Sequence, residues 1–398
     1  MAERPWWRQP ATWVIAAGMM VAMHVGKVSV AIPSLRDALS ISLVQAGTLL
    51  SMSQMAGMVV AVLVGMFADG WGLRRSLVLG LGLMGAASLS GAWATGVGAL
   101  LSLRFVEGMA FLLVVVSAPA LLRQLVPADR LAVTMGVWGT FMPGGTALAL
   151  MCGPWVLQAW GWPWWWGVMG GLTLLMAGAC AAILWPLGAG SGIGQRGLSE
   201  HGQRLLRTLR NPGTWWVALS FGLYSSQWLV VIGFFPTLLQ AAGVSAGAAG
   251  GVTALVSVVN IGGNLLGGQL LHRGWRVHHV LGAGFLIMAA CAVVIFNAGG
   301  LWSPPLRMAA ALVFSGLGGM IRGALFSLAV RVAPSEDTVS TSLGWTTQMS
   351  MVGQFVMPPT AAALAQSVGS WQWTWGLNAV AASLALLLIA RLRRLLVD

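Results

Sequence analysis

The chain has 398 residues, of which 58% are hydrophobic and 8% are charged, and its mean hydropathy is +0.83. No water-soluble domain could bury that much apolar surface, so the composition excludes a large soluble domain and indicates a polytopic membrane protein. The net charge of +12 does not indicate nucleic-acid binding, because the arginines lie mainly in short loops between apolar segments, where they orient a membrane protein.

Hydropathy predicts twelve membrane-spanning helices. A helix needs roughly 20 apolar residues to cross about 30 Å of hydrocarbon. The apolar runs are continuous, as in residues 77–94, whereas the strands of a membrane barrel alternate apolar and polar residues. The predicted spans are 13–32, 43–68, 76–95, 98–121, 131–154, 164–185, 214–239, 248–271, 278–297, 306–329, 339–363 and 373–390.

The basic residues predict the orientation. With twelve spans both termini lie on one side, and sixteen of the 21 lysines and arginines fall on that side against two, Arg36 and Arg307, on the other. The positive-inside rule therefore places both termini in the cytoplasm of a bacterial-type inner membrane. The remaining three basic residues, Lys27, Arg104 and Arg322, lie within spans.

The two halves of the chain repeat. Pro127-Ala-Asp129, followed by Trp138, matches Pro334-Ser-Glu336, followed by Trp345, at an offset of 207 residues. A polar segment rich in Gly, Ser and Arg separates the halves. We therefore predict a six-helix bundle over residues 1–187, a cytoplasmic linker over 188–213 and a second six-helix bundle over 214–398. Repeats of this kind place a transport site at the repeat interface near the bilayer midplane.

Two motifs carry a family resemblance. Gly65-Met-Phe-Ala-Asp69-Gly-Trp-Gly72-Leu-Arg74-Arg75 resembles the loop signature G-x-x-x-D-[RK]-x-G-R-[RK] of the major facilitator superfamily, between spans two and three. Arg104-Phe-Val-Glu107-Gly108 in span four resembles the R-x-x-Q-G element of that family, with Glu107 in place of the amide. The resemblance implies an all-α membrane protein with 12 transmembrane helices in two pseudo-symmetric six-helix bundles, and a transporter rather than an enzyme. It also implies a conformational gating motif formed by Gly65, Asp69, Gly72, Arg74 and Arg75.

The charged pair in span four has two interpretations. Arg104 and Glu107 are three residues apart and share a helical face, so they can neutralise each other inside the membrane. The pair is either purely structural, or Glu107 titrates and couples proton movement to transport. Glu107 and His24 are the available proton carriers.

Embedded polar residues are the candidates for substrate binding, since a charge at the bilayer centre costs at least about 2.5 kcal/mol. His24 and Lys27 share one face of span one, and Arg322 lies in span ten. Spans one, seven, eight, ten and eleven contain no acidic residue, so we predict unpaired positive charge and a small anion as substrate. In the cytoplasmic half of its span, Arg322 could instead snorkel or serve a gate. The uncharged candidates are Tyr224, Gln227, Asn260, Asn264 and Gln348.

Span one also carries a subfamily resemblance. Lys27, followed by Ile32-Pro33-Ser-Leu35-Arg36, resembles the cyanate and nitroimidazole permease branch, which has an arginine in the corresponding region. This implies import of a small anion, although a lysine point charge in place of an arginine fork leaves the solute open. Import of an anion against a negative-inside potential predicts proton symport. We expect a monomer without a cofactor or a bound metal.

Other functions fit the sequence less well. Drug efflux is the main alternative, but exporters of cationic drugs generally place acids in the cavity, and only Glu107 is available. Copper import would use the methionines beside His24, yet Lys27 would repel the cation. An intramembrane enzyme would need H-E-x-x-H or paired aspartates within the membrane, and the sequence contains neither. One G-x-S-x-G match, Gly243-Val-Ser245-Ala-Gly247, lies between predicted spans seven and eight and lacks the strand that precedes a catalytic serine of this kind. The linker pattern Gly192-x-Gly194-x-x-Gly197 lacks the preceding strand of a dinucleotide site.

Overall fold

The computed structural model describes residues 9–187, 198–296 and 301–397, with the side chains of 60–71, 132, 187, 198–201, 337 and 393–397 left out of the description. Every regular element in this described part of the chain is helical. The α-helices are α1 (Pro10–Leu39), α2 (Leu43–Trp71), α3 (Leu73–Gly91), α4 (Val97–Leu125), α5 (Ala128–Trp138), α6 (Phe141–Leu184), α7 (Leu198–Arg210), α8 (Pro212–Ala241), α9 (Ala246–His272), α10 (Val277–Phe296), α11 (Pro304–Arg331), α12 (Val339–Val368) and α13 (Thr374–Val397). Short 3₁₀ turns lie at Trp185–Leu187, Glu336–Thr338 and Trp371–Trp373.

Eight stretches of the described helices are long and apolar enough to cross a membrane. Helices α2 and α12, of 29 and 30 residues, also have the necessary length. The longest of the eight stretches, Ala128–Leu184, contains two of the predicted spans. A straight α6 would be about 66 Å long, at 1.5 Å per residue, but Gly161 adopts φ 81° and ψ 178° and breaks it. Glycine adopts that conformation without the steric penalty of a Cβ, so the chain turns there between two spans.

The chain divides into two compact units by its internal contacts. The first unit contains Met1–Ile41 and Met52–Gln195, and the second contains Ser42–Ser51 and Arg196–Asp398. The boundary after Gln195 falls inside the segment predicted as a linker. Residues 188–197 of that segment lie outside the described residues, and the part that follows forms helix α7, which the sequence analysis did not anticipate.

Close helix crossings build the first unit. Helix α1 packs along α6, and α3 packs along α4 and α6. A Cβ on Gly26 of α1 would lie 2.7 Å from the Thr146 carbonyl oxygen of α6, and Gly108 of α4 lies against the backbone of Ser53 in α2. These glycines allow four helices to approach one another around the polar side chains at residues 24–27.

In the second unit, α9 packs along α11 and α8 packs along α12. Gly263 of α9 lies directly over the Gly316 backbone of α11, and a Cβ on Gly319 would lie 2.5 Å from the Asn260 carbonyl oxygen. This crossing fixes the register between Asn260 on α9 and Arg322 on α11, so it positions two of the residues that the sequence nominates for binding.

We predict that Gly319→Ala destabilises the protein and that Gly316→Ala does not. A Cβ at Gly319 collides with backbone, which costs about 1–3 kcal/mol for overpacking. A Cβ at Gly316 meets only ordinary contacts at 3.8 Å or more, and alanine has the higher helix propensity. Thermal unfolding of the two purified variants, compared with wild type, measures the difference. Equal unfolding midpoints for the two variants would contradict the close crossing of α9 and α11.

Candidate functional site

A buried ion network lies at the centre of the first unit. The Lys27 ammonium of α1 donates to Glu107 Oε1 of α4 at 2.6 Å. Arg104, one helical turn before Glu107, donates to the other carboxylate oxygen, Oε2. The exposed fraction of each of the three residues is 1% or less. One carboxylate therefore pairs with two cations from two helices inside the apolar bundle, and the three groups carry a net charge of +1.

Lys27 has further partners on the neighbouring helices. Its Nζ donates to Ser88 Oγ of α3 at 3.0 Å, and the Ser88 hydroxyl donates in turn to the Trp166 carbonyl of α6 at 3.0 Å. The same ammonium lies 4.6 Å from the centre of the Trp166 ring, within cation–π range. The lysine is thus held by a carboxylate, a hydroxyl and an aromatic face, which together offset its desolvation.

The Arg104 guanidinium connects the network to α1 and α2. It donates to the His24 carbonyl oxygen at 3.0 Å and to Ser53 Oγ at 3.1 Å. The His24 ring places Nε2 at 2.8 Å from Thr173 Oγ1 of α6 and Nδ1 at 3.7 Å from Glu107 Oε2. All four charged or titratable groups, His24, Lys27, Arg104 and Glu107, are therefore in one cluster.

A small cavity borders this cluster. It is only large enough to hold about one water molecule. His24, Arg104 and Glu107 line it, together with Gln54 from α2 and the apolar residues Val21, Val25, Met84 and Phe111. The cluster is therefore closely packed and has space for a single small polar guest.

The structure corrects one expectation from the sequence. Lys27 is paired, whereas the absence of acidic residues from span one predicted an unpaired cation. The prediction was wrong because the i, i+3 spacing assigned Glu107 to Arg104, and the spacing within one helix cannot show that its second oxygen faces another helix. The described geometry leaves both interpretations of the Arg104–Glu107 pair open.

A second polar cluster lies in the second unit. Asn260 donates to the Tyr224 hydroxyl at 2.9 Å and to the Ser315 carbonyl at 2.9 Å. The Tyr224 hydroxyl thus acts as an acceptor, and no acceptor for its own proton is found among the described residues. Arg322 lies within electrostatic range of Tyr224, and its guanidinium is 5.9 Å from the centre of the Phe326 ring.

Arg322 differs from Lys27 in its charge environment. The sequence has no Asp or Glu between Glu200 and Glu336, or between Asp337 and Asp398. The membrane-spanning helices of the second unit therefore offer Arg322 no carboxylate. In the part of the chain that the structure describes, no ion pair to Arg322 is found.

The other uncharged candidates are dispersed. Gln227 is fully buried and donates to the Leu223 carbonyl of its own helix at 3.0 Å, while its Oε1 has no partner among the described residues. Asn264 borders an open cavity of about 670 Å³ that extends to the basic turn at His272 and Arg273. Gln348 lies half-buried on α12.

The gating motif is only partly within the described residues. Gly65 and Asp69 lie at the end of α2, and their side chains are outside the description. Gly72 adopts φ 105° between α2 and α3, and Arg74 donates to the Leu184 carbonyl at 3.5 Å. Arg75 is exposed. The predicted contact between Asp69 and the arginines remains a prediction.

Sequence reasoning missed several neutral partners of the ion network. These residues are Gln54, Ser88 and Thr173, which are buried, and Ser53, which is partly buried, and the four lie on three helices. Their signal is weak, because single serines and threonines are common in membrane helices as packing residues. The described residues contain no group of three or more His, Cys, Asp or Glu side chains that could hold a metal ion.

We predict strong thermodynamic coupling between Lys27 and Glu107. Glu107→Gln leaves two buried cations without a counter-charge, at a cost of about 3–5 kcal/mol, whereas Lys27→Met leaves Glu107 paired with Arg104. The double variant removes both charges, so its loss of unfolding free energy should be smaller than the sum by about 0.5–3 kcal/mol. A double-mutant cycle by thermal unfolding measures this coupling.

The control cycle pairs Glu107→Gln with Arg307→Met. Arg307 is a buried cation of the second unit, and its guanidinium donates to the Ile295 carbonyl at 3.0 Å. These two substitutions should be additive. Additivity in the Lys27–Glu107 cycle as well would contradict the shared carboxylate.

Relatives with curated descriptions match part of the chain. An uncharacterized MFS-type transporter of Mycobacterium tuberculosis is 27% identical over 163 residues, 41% of this chain and 28% of that protein. The tetracenomycin C resistance and export protein of Streptomyces glaucescens is 28% identical over 160 residues, 40% of this chain and 29% of that protein. The puromycin resistance protein pur8 of Streptomyces alboniger is 29% identical over 163 residues, which are 40% of this chain and 32% of that protein. The matched segments thus span about a third or less of each relative.

Solved structures with the same fold cover nearly the whole chain. A D-xylose-proton symporter superposes with a TM-score of 0.79 at 15% identity and covers 97% of both chains. A bacterial homologue of the human lysosomal transporter Spinster superposes with a TM-score of 0.75 at 16% identity, over 100% of this chain and 96% of the other. These likenesses confirm the predicted all-α fold of two six-helix bundles.

The sequence profile of the Major Facilitator Superfamily matches residues 14–350 and, in a second, overlapping match, residues 217–396. This chain is therefore a membrane transporter, not an enzyme, and it belongs to the Major Facilitator Superfamily.

Proposed function

We propose that this transporter moves a small anionic solute together with a proton. The observation that carries the proposal is the charge count of the interior of the membrane-spanning segments, where three basic residues, Lys27, Arg104 and Arg322, accompany one carboxylate, Glu107. Arg307 is a further buried cation at the beginning of span ten. Positive charge in hydrocarbon needs an opposite charge to offset its desolvation. A bound anion supplies the charge that the chain itself does not.

Arg322 is the proposed anchor for the anion. It is the embedded cation whose unit has no carboxylate in its spanning helices, and a guanidinium can donate two parallel hydrogen bonds to a planar anion. Tyr224, whose hydroxyl already accepts from Asn260, can donate its own proton to an anionic oxygen. Three further residues are proposed contacts of the anion on the basis of the sequence alone: Gln227, Asn264 and Gln348.

The ion network is the proposed coupling site. With His24 neutral, Lys27, Arg104 and Glu107 carry a net charge of +1. A proton added to His24 or Glu107 raises this charge to +2 and strengthens the attraction for an anion. When a proton neutralises Glu107, or when protonated His24 competes for the Glu107 carboxylate, the Lys27 ammonium becomes available to an anion. Lys27 is therefore a proposed binding residue once the ion network is protonated.

Proton symport also suits the energetics of import. Moving one negative charge inward against a negative-inside potential costs about 2.3 kcal/mol per 100 mV, and a proton carried with each anion removes that cost. The distribution of basic residues supports cytoplasmic termini in an inner membrane. The residues Lys27 and Ile32-Pro33-Ser-Leu35-Arg36 support the cyanate and nitroimidazole branch as the subfamily.

Drug efflux is a second candidate, favoured by the two Streptomyces relatives that are described as resistance proteins. The charges of this chain argue against export of a cationic drug. Glu107 is the one carboxylate in the spans, and Lys27 and Arg104 already occupy both of its oxygens.

We predict that small anions stabilise the purified protein against thermal unfolding and that Arg322→Leu abolishes the effect. A ligand at 100 times its Kd stabilises the folded state by about 2.7 kcal/mol, which raises the midpoint by several degrees. The panel is cyanate, formate, acetate and lactate, with D-xylose and puromycin as a neutral sugar and a drug.

The matched control is Arg331→Leu, which removes an exposed arginine from the end of the same helix. This variant should keep the wild-type response to anions. Stabilisation by puromycin with no response to any anion would overturn the proposal in favour of efflux, and stabilisation by D-xylose alone would indicate a neutral solute.

A further inference from the structure

The two nitrogens of the His24 ring have different surroundings, and those surroundings favour one tautomer. Nε2 lies 2.8 Å from Thr173 Oγ1, and the Thr173 hydroxyl lies 2.7 Å from the Met169 carbonyl, to which it can donate its single proton. While it donates to Met169, Thr173 can only accept from His24. In that arrangement neutral His24 carries its proton on Nε2, and its Nδ1 bears a lone pair.

Nδ1 is a buried acceptor with no donor. Among the described residues it has no hydrogen-bond partner, and it lies 3.7 Å from Glu107 Oε2, which is also an acceptor. Two facing lone pairs in a dry interior are unfavourable, and one proton between them converts the contact into an N–H···O⁻ hydrogen bond. The site is thus arranged to take up one proton.

The groups around the His24 ring determine which charges it meets. The charged groups are Lys27 on the same helix and Arg104 and Glu107 on α4. The groups contributed by α2, α3 and α6 are neutral: Ser53, Gln54, Ser88 and Thr173. Glu107 is thus the single anion near His24 within the described residues, and the cavity that borders both has room for the water that would deliver a proton.

We propose that Nδ1 of His24 is the proton-binding position of this transporter and that Thr173 is the positioning residue that keeps it available. The inference rests on the proposed proton-coupled function and assigns its proton to one atom. On protonation an N–H bond forms at Nδ1 with a proton that hydronium in the aqueous phase gives up through the cavity water, which remains neutral, and the new donor binds Glu107 Oε2. Glu107 then faces three cations, so its hold on Lys27 weakens and Lys27 can engage the transported anion.

The test is nitrogen-15 NMR of histidine-labelled protein in lipid bilayers, which reads tautomer and protonation without any solute. The His24 resonances are those missing from His24→Asn. In wild type we expect the neutral ring to be protonated on Nε2 and to gain a proton on Nδ1 between pH 9 and pH 4.5. Thr173→Val removes the acceptor and should shift the neutral ring towards the Nδ1–H tautomer, whereas Thr173→Ser should behave as wild type.

The charged ring loses the hydrogen bond to Thr173 in the valine variant, so its titration midpoint should fall by about one pH unit, a tenfold loss of proton affinity. A ring that stays neutral down to pH 4.5, or a tautomer that is unchanged in Thr173→Val, would overturn the proposal. The NMR result and the anion-binding result are independent. A titrating His24 in a protein that binds no anion would sustain the proton site and reject the solute class.

Discussion

The carboxylate of Glu107 is the constraint on which the first unit depends. It is the one acid in the membrane-spanning segments, and its two oxygens hold an ammonium from α1 and a guanidinium from α4. Neither cation could lie in a dry bundle without it, since an isolated buried charge costs several kcal/mol. The same carboxylate faces Nδ1 of His24, so any change in its charge acts on three basic groups at once.

The two repeat-related units differ in this respect. At the offset of 207 residues, Arg104 and Glu107 correspond to Ala311 and Phe314, and Arg322 corresponds to Val115. The repeat preserves the loop motifs and helix packing but not the embedded charges. One unit therefore pairs both of its embedded cations with one carboxylate, while the spanning helices of the other unit offer Arg322 no carboxylate. This asymmetry is the basis for assigning proton binding to one unit and anion binding to the other.

The fold was largely predictable from the sequence, because continuous apolar runs and glycine-rich crossings dictate long packed helices whatever the substrate. The family motifs then identified the arrangement of those helices. The site was predictable only in part. Hydropathy singled out Lys27, Arg104, Glu107 and Arg322, but the pairing of Lys27 with Glu107 depends on the rotation of α1 against α4, which spacing within one helix does not encode.

The neutral residues were not predictable for a different reason. Thr173 resembles any other threonine in an apolar helix. Its proposed role, to orient the His24 ring, depends on the hydrogen bond that its hydroxyl donates to the Met169 carbonyl. Helix α7 was likewise missed, since it lies in a segment whose composition is typical of a linker.

The most direct test of the account is lumenal pH in proteoliposomes after an inward gradient of formate or cyanate is imposed at zero membrane potential. If an anion and a proton move together, the lumen of vesicles that contain the protein acidifies faster than that of protein-free vesicles. A lumenal pH that follows the protein-free control for every small anion would contradict coupled anion and proton transport.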